Sequence, residues 1–309
     1  MNSLNRRDFI KATSAAVATM AATNNLPAQQ LREPINKIVD CHFHLWAKDK
    51  IRFPYQPNPR YAPDYFSTAD QWNKDRVKAG ISKGIFVSGA PYGDDPAFLL
   101  HSLKQAPKSL RGVCLINPNV KEGIKQLEAT VTEQNIVGVR LQTSWLWGVD
   151  WDSAYLAAFW KRLGELKLVL QLHLEPKWNG QLEKMLARFP NTKVVIDHLG
   201  RPLQGTAVDF MRLKNVAKHP QAHIKLISFD TESEEQPPYQ KIQPVVKELV
   251  DWFTPNRCVW GSNNYRGGMG NSGYLDLVNH ARRVFNFLTI EEEKQIFCKS
   301  PHRLYALHK

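Results

Sequence analysis

Eight short apolar segments recur at regular intervals along this chain, and they constrain its fold more than any other feature. Several are apolar on successive residues, which is typical of strands buried on both faces of a parallel sheet. Amphipathic helical patterns separate them. The predicted strands are Lys37–Phe43, Lys83–Ser88, Arg111–Asn117, Ile136–Gln142, Leu168–His173, Lys193–His198, His223–Phe229 and Arg257–Ser262, and the clearest helices are Thr68–Ala79, Ala154–Leu166, Gly180–Phe189 and Ile242–Phe253.

Eight strand–helix units predict an α/β fold, a single (β/α)8 TIM barrel. A doubly wound open sheet is the alternative, and it would normally place a glycine-rich phosphate turn after the first strand. Here the first strand runs into Asp40–His44, which contains no glycine. The last helix opens with a capping box at Thr289–Glu292. We find no linker, so we expect residues 31–309 to form one domain.

Residues 1–30 differ in composition from the rest of the chain. The pair Arg6–Arg7 precedes a modestly apolar, alanine-rich run. This pattern resembles a bacterial twin-arginine (Tat) signal peptide, although a basic amphipathic first helix is the alternative. The twin-arginine route exports proteins that are already folded. We therefore expect a periplasmic or secreted protein.

The composition narrows the classes of partner. The chain of 309 residues is 43% hydrophobic and 23% charged, which indicates a folded protein. No apolar stretch reaches the ~18 residues of a membrane span. The net charge is +12, but the basic residues are scattered and form no stripe or nucleic-acid motif. We therefore expect a small-molecule substrate, no nucleic acid and no membrane span, and leave a homo-oligomer open. No cysteine lies in a C-x-x-C pair, which argues against a cysteine zinc site or redox motif. We expect free, buried thiols, with a disulfide between Cys41 and Cys258 as the alternative.

Four histidines coincide with the predicted ends of barrel strands. His42 and His44 are two residues apart on the first strand, so both imidazoles should face the same side and could chelate a divalent metal. His173 and His198 end the fifth and sixth strands. A lone H-x-H pair also fits two hydrogen-bonded structural histidines. The recurrence favours one shared site at the barrel mouth, where such enzymes build their active sites.

At this point the chain resembles a known family, the amidohydrolase superfamily. The branch is the amidohydrolase-related group that contains 2-pyrone-4,6-dicarboxylate lactonase, sugar lactonases and muconolactone hydrolases. The resemblance extends from about Ile38 to Leu307 in the family's order. The segments that carry it are Asp40–Trp46, Gly138–Leu141, Asp197–Pro202, Val259–Ser262 and Arg303–Tyr305.

The resemblance implies roles for individual residues. The first-strand H-x-H, the strand-six histidine and an aspartate after strand eight surround the reacting carbonyl in this family, and a strand-four arginine contacts a substrate carboxylate. Some members hold a divalent metal, and others work without one. Carried over, His42, His44 and His173 are the metal ligands for one zinc or manganese ion, His198 and His173 are catalytic, and Arg140 binds substrate.

The chain departs from the family after the eighth strand. The family pattern has aspartate where this sequence has Asn263. An amide cannot take a proton from water near neutral pH, so the family's general base is missing. Three interpretations remain open. Glu175 or Asp230 could replace the base, a metal-bound hydroxide could act without one, or hydrolysis could be lost.

Aromatic residues and arginines follow the strands that carry the histidines. Trp46 opens a loop rich in tyrosine and proline, Trp145 follows strand four, and Arg266 lies in a glycine-rich loop after strand eight. Aromatic faces with arginines suit a planar or sugar-like carboxylated ring, although packing over the barrel top explains them equally well. Lys225 on strand seven could also point inward.

We therefore predict a hydrolase that opens a lactone or related cyclic ester, with Asn263 orienting water or substrate. The competing hypotheses are a non-hydrolytic periplasmic binding protein on the same barrel, which Asn263 motivates, and a decarboxylase of the same superfamily.

Overall fold

The computed structural model describes residues 34–133, 135–143, 146–267 and 270–307. Eight parallel strands form one sheet whose spatial order is the order of the sequence, and the last strand lies beside the first. The predicted (β/α)8 barrel is confirmed. The strands are β1 (Ile38–Phe43), β2 (Ile81–Val87), β3 (Leu110–Leu115), β4 (Ile136–Gln142), β5 (Val169–His173), β6 (Val194–Ile196), β7 (Ala222–Leu226) and β8 (Cys258–Trp260).

Helices follow the strands and cover the outside of the sheet. The four predicted helices are observed within about one residue of their predicted bounds. Thr68 and Thr289 each close a capping box at a helix start. Within the described ranges, none of the helices combines the length and apolarity needed to cross a membrane. The helices are α1 (Ala69–Lys78), α2 (Ala97–Gln105), α3 (Glu122–Val131), α4 (Ala154–Glu165), α5 (Asn179–Arg188), α6 (Ala207–Met211), α7 (Leu213–Val216), α8 (Phe229–Ser233), α9 (Gln243–Phe253), α10 (Gly270–Val284), α11 (Ile290–Lys294) and α12 (Ser300–Leu304).

Apolar side chains form two buried clusters. The larger cluster packs the outer face of the strands against the helices, as where Phe43 stacks on Trp72 of α1 with ring centroids 5.1 Å apart. The smaller cluster takes residues such as Val39 and Val195 from successive strands and includes Tyr305 after α12. It fills the barrel interior beneath the histidines. All four cysteines are free, as expected.

The seam between β8 and β1 is joined by polar contacts. The Asn263 backbone N–H donates to the carbonyl of His42 at 2.7 Å, and the Ser262 N–H donates to the buried Asp40 carboxylate at 2.9 Å. Gly261 allows this approach, because a Cβ there would lie 2.6 Å from the backbone nitrogen of His42. The seam therefore fixes the backbone that carries the first histidine.

Strands β6, β7 and β8 end two or three residues earlier than predicted. Shortly after each strand a residue adopts a positive φ: His198 at 52°, Ser228 at 63° and Asn263 at 55°. A left-handed residue cannot continue a pleated strand, so each one turns the chain at the barrel mouth. His198 consequently lies in a short 3₁₀ turn, His198–Gly200, rather than at the end of a strand.

Candidate active site

A cavity of about 480 Å³ opens at the carboxyl ends of the barrel strands. This volume suits a small organic molecule, and the position is where barrel enzymes bind their substrates. Residues at or after the ends of six strands, β1, β4, β5, β6, β7 and β8, contribute to it. Its lining includes His44, Trp46, Tyr61, Tyr65, Arg140, His173, His198, Arg201, Ser228, Thr231, Glu232, Asn263 and Asn264.

His42 and His44 converge at the end of β1. Their Nε2 atoms are 3.4 Å apart, and His44 Nδ1 lies 2.7 Å from the carbonyl of Val87 on β2. A carbonyl only accepts, so His44 Nδ1 carries a proton and its Nε2 presents a lone pair. A register shift in the pairing of β1 with β2, between Asp40 and Phe43, accompanies this arrangement. Such irregularities re-aim side chains within a strand.

Asp197 is the centre of a buried polar network beneath the cavity. Its Oδ2 accepts from Arg140 Nε at 2.8 Å and from Gln171 Nε2 at 3.1 Å. Its Oδ1 lies 3.4 Å from Lys225 Nζ and 3.5 Å from His42 Nδ1. Arg140 and Lys225 hold the pKa of this carboxyl well below its usual range despite its burial. Asp197 is therefore ionised and shared between two cations.

The four site imidazoles are uncharged at neutral pH. Burial lowers the pKa of His42, His173 and His198 well below the usual value for histidine, and lowers that of His44 to about 4. The nearby Arg140 guanidinium acts in the same direction on each of them. Neutral imidazoles can bind a metal or accept a hydrogen bond, but they add no positive charge to that of the arginines.

His198 is held from both ring nitrogens. Arg140 Nη2 lies 3.1 Å from its Nε2, and Ser228 Oγ lies 2.6 Å from its Nδ1. A guanidinium only donates, so Nε2 accepts and Nδ1 carries the proton that it donates to Ser228. The ring is thus fixed in one tautomer at the edge of the cavity.

His173 is bound by an arginine that follows the sixth strand. Arg201 Nη1 contacts His173 Nε2 and lies 3.4 Å from its Nδ1. The guanidinium of Arg201 is in turn attracted by the buried Glu175 carboxylate, which accepts a hydrogen bond from the Thr143 hydroxyl. Arg201 therefore reaches the cavity with its positive charge already partly balanced.

Glu232 contributes a carboxylate to the cavity wall from α8. Its side chain is 2% exposed, and its Oε1 lies 3.9 Å from Arg201 Nε. Burial raises the pKa of Glu232 to about 7, while Arg201 and the backbone N–H of Leu203 partly oppose this increase and Asp230 adds to it. A carboxyl in this range exchanges a proton near neutral pH.

Comparison with known proteins identifies the family. The family model described as amidohydrolase matches residues 39–307. This chain belongs to the amidohydrolase family. It is 27% identical over 278 residues to 4-sulfomuconolactone hydrolase of Hydrogenophaga intermedia. The alignment covers 86% of this chain and 88% of that protein.

Solved structures show the same fold as this amidohydrolase. A probable 2-pyrone-4,6-dicarboxylic acid hydrolase from Acinetobacter baumannii, with citric acid bound, has a TM-score of 0.75 and 23% identity, covering 87% of this chain and 99% of that one. An amidohydrolase from Burkholderia multivorans with bound zinc has a TM-score of 0.70 and 19% identity, with the same coverage.

The predicted substrate-binding residues of this amidohydrolase lie in different places. Arg140 and Trp46 line the cavity. Arg266 stacks on the ring of Tyr65, 5.1 Å from its centroid, and is not among the residues that line the cavity. Trp145 lies outside the described residues. Asn263 also lines the cavity.

A group that could hold a metal lies in the same amidohydrolase site. Ligand atoms of His42, Asp197 and His198 all lie within 4.8 Å of one another. This group shares His42 with the ligands predicted from the sequence. His173, another predicted ligand, has its Nε2 in contact with Arg201 instead. Asp197 already binds two cations, so a metal would compete with them for its oxygens.

His42 and His44 fit a divalent ion best. Two imidazoles on one tetrahedral zinc, with Zn–N bonds near 2.0–2.1 Å, place their nitrogens about 3.3 Å apart. The observed 3.4 Å between the two Nε2 atoms matches this spacing. His44 already presents the lone pair of its Nε2. Binding through Nε2 would require His42 to carry its proton on Nδ1. Lys225 Nζ and Gln171 Nε2 both lie 3.3 Å from Nδ1, closer than Asp197 Oδ1 at 3.5 Å, so a metal would have to displace these donors from the ring.

Four residues of the network were not assigned roles from the sequence. Asp197 and Arg201 belong to a motif that carried the family resemblance. Gln171 lies two residues before His173 on β5 and therefore shares its face of the strand. These sequence patterns could have identified all three residues. Glu232 lies in an acidic run that resembles a solvated surface. No sequence pattern separates it from its exposed neighbours.

Proposed function

We propose that this amidohydrolase hydrolyses a lactone or related cyclic ester that carries a carboxylate or similar anion. The observation that carries the proposal is the cavity itself, in which Arg140 and Arg201 stand beside the neutral imidazoles of His173 and His198. Guanidinium groups bind carboxylates with paired hydrogen bonds. The relationship to a 4-sulfomuconolactone hydrolase supports both the lactone and the anionic group.

In this mechanism water attacks the lactone carbonyl carbon. Arg140 and Arg201 hold the anionic group and offset the negative charge that develops on the carbonyl oxygen. Asn263 orients water or substrate through hydrogen bonds, since a carboxamide can donate and accept but cannot take a proton near neutral pH. The aromatic rings of Trp46 and Tyr65 form the apolar wall against which the ring of the substrate packs.

A divalent ion, zinc or manganese, would be held by His42 and His44. Such an ion polarises a carbonyl and lowers the pKa of water to near 7. Metal analysis of protein purified without chelators tests this part. About one ion per chain, lost in His42→Ala, supports the metal-assisted form. Full activity in metal-free protein assigns the carbonyl polarisation to the protein's own side chains.

The hydrolysis itself is tested with a panel of five- and six-membered lactones, with and without a carboxylate, followed by proton release. We expect turnover of the carboxylated members and a loss of at least ~10²-fold in His198→Ala and Arg140→Ala. The exposed Lys184→Ala is the control. Tight binding without turnover would instead favour a non-hydrolytic binding protein, and carbon dioxide release without ring opening would favour a decarboxylase.

We also propose export through the twin-arginine route. The pair Arg6–Arg7 ahead of the alanine-rich run supports it. Replacing both arginines with lysine should move the protein from the periplasmic fraction to the cytoplasmic fraction of a bacterial host. Unchanged fractionation would contradict it.

A further inference from the structure

A buried carboxylate in the cavity wall has no part in the steps above. Glu232 lies on α8, one helical turn after Ser228, and its backbone N–H donates to the Ser228 carbonyl at 2.9 Å. The Ser228 hydroxyl binds His198 at 2.6 Å. The same short helix that fixes the His198 ring therefore carries Glu232 to the same cavity.

The surroundings of Glu232 leave half of its carboxylate without a partner. Among the described residues, Oε2 has no hydrogen-bond partner although it is buried. The nearest cation, Arg201, lies 3.9 Å from the other oxygen, which is long for an ion pair. An unpaired buried polar atom costs about 1–3 kcal/mol. Because Glu232 lines the cavity, a ligand or a water molecule there could satisfy this oxygen.

The other two carboxylates considered as a replacement base are placed less well. Glu175 accepts a hydrogen bond from Thr143 and is not among the cavity-lining residues. Asp230 accepts from Asn264 at 2.9 Å and faces a separate pocket of only about 20 Å³. Glu232 is the one of the three that lines the large cavity.

We propose that Glu232 is the general base that replaces the missing strand-eight aspartate. This assignment rests on the proposed lactone hydrolysis. Glu232 takes one proton from water as the water oxygen bonds to the carbonyl carbon. The ring C–O bond then breaks, and the proton passes from Glu232 to the leaving ring oxygen. One lactone and one water give one hydroxy acid, and Glu232 returns to its carboxylate form.

The test measures kcat and kcat/KM against pH for wild type, Glu232→Gln and Glu232→Asp on a carboxylated lactone that the wild type hydrolyses. The charged groups that face Glu232 are Arg201 and Asp230, and the burial-raised pKa of about 7 places the titration near neutral pH. Wild-type activity should rise with pH through about 7 and then level off. Glu232→Gln should lower kcat by ~10²–10⁴-fold, and its activity should no longer rise with pH through about 7. Glu232→Asp should keep the rise at reduced rate.

Glu175→Gln is the matched control, because it neutralises another buried carboxylate that attracts Arg201. The activity of Glu175→Gln should still rise with pH through about 7, even if its KM changes. A Glu232→Gln protein with a raised KM but an unchanged kcat and an unchanged pH profile would show that Glu232 only positions Arg201. This result would overturn the assignment of Glu232 as the base and leave the proposed lactone hydrolysis standing. A Glu232→Gln protein with a wild-type thermal melt and wild-type kinetics would do the same. A wild type that hydrolyses no lactone would overturn the proposed function and this assignment together.

Discussion

Lys225 is fully buried inside the barrel, where two cations share the single carboxylate of Asp197. Burial lowers the pKa of Lys225 from 10.5 to about 8, and the attraction of Asp197 only partly offsets it. At 1.36 kcal/mol per pKa unit, the charged form of this side chain costs the folded state on the order of 3 kcal/mol. We therefore expect Lys225→Met, which keeps the length of the side chain without its charge, to stabilise the protein.

The usual expectation for a buried ion pair is the opposite. Removing one partner typically costs about 3–5 kcal/mol, because the other charge is left alone. Here Asp197 keeps Arg140 Nε at 2.8 Å and Gln171 at 3.1 Å, so it is not left alone. The relief of lysine burial should therefore outweigh the lost attraction.

The effect should also depend on pH in a defined direction. Below about pH 8 Lys225 is charged in both the folded and the unfolded state, so its cost is fully present. Between about pH 8 and 10.5 only the unfolded state binds the proton, and the cost falls as pH rises. The free energy of unfolding of Lys225→Met should exceed that of wild type by about 3 kcal/mol at pH 7 and by only about 1 kcal/mol at pH 9.5.

Urea unfolding of both proteins in chelator measures these differences, and the exposed Lys184→Met serves as the control, with an expected change within about 0.5 kcal/mol. A Lys225→Met protein that is less stable than wild type by 2 kcal/mol or more at pH 7 would refute the reasoning. It would mean that Asp197 depends on both of its cations.

Three further predictions follow from the same contacts. Asp197→Asn removes the counter-charge of two buried cations, and its free energy of unfolding in urea should fall by about 3–5 kcal/mol; a loss under 1 kcal/mol would contradict the network. Gly261→Ala places a Cβ 2.6 Å from the backbone of His42 and should cost about 1–3 kcal/mol in the same assay, with unchanged stability refuting the tight seam. If Glu232 is the base, as proposed, Asn263→Asp should change kcat on a lactone by less than about tenfold; a 10²-fold gain would show that the base was missing.

The barrel could be predicted from the sequence because parallel strands buried on both faces leave continuous apolar runs. His42 and His44 converge, as their spacing of two predicted, although β1 ends at Phe43 and its pairing shifts register between Asp40 and Phe43. Lys225 was also noted as a side chain that could point inward, and the structure buries it. These features depend on local periodicity, which a single sequence displays.

Other features depend on backbone turns or on residues distant in sequence. The early end of β6 results from a left-handed φ at His198, and no sequence periodicity marks such a residue. The Arg140–Asp197 pair joins positions 57 residues apart. Glu232 is buried on α8, whereas its acidic neighbourhood in the sequence suggests a solvated surface. The interpretation of the sequence considered Asp230, two residues earlier, as a replacement base and did not consider Glu232.

The left-handed residues at the ends of β6, β7 and β8 connect the fold to the site. His198, Ser228 and Asn263 each adopt a conformation in which a side chain costs about 1–2 kcal/mol, and glycine would avoid the cost. All three line the cavity, and two of them bind each other through the hydroxyl and the imidazole. Backbone strain that persists at three consecutive strand ends, with a polar side chain retained at each, is typical of functional sites. The left-handed turns bring these three side chains to one cavity, and the proposed hydrolysis places the lactone carbonyl there.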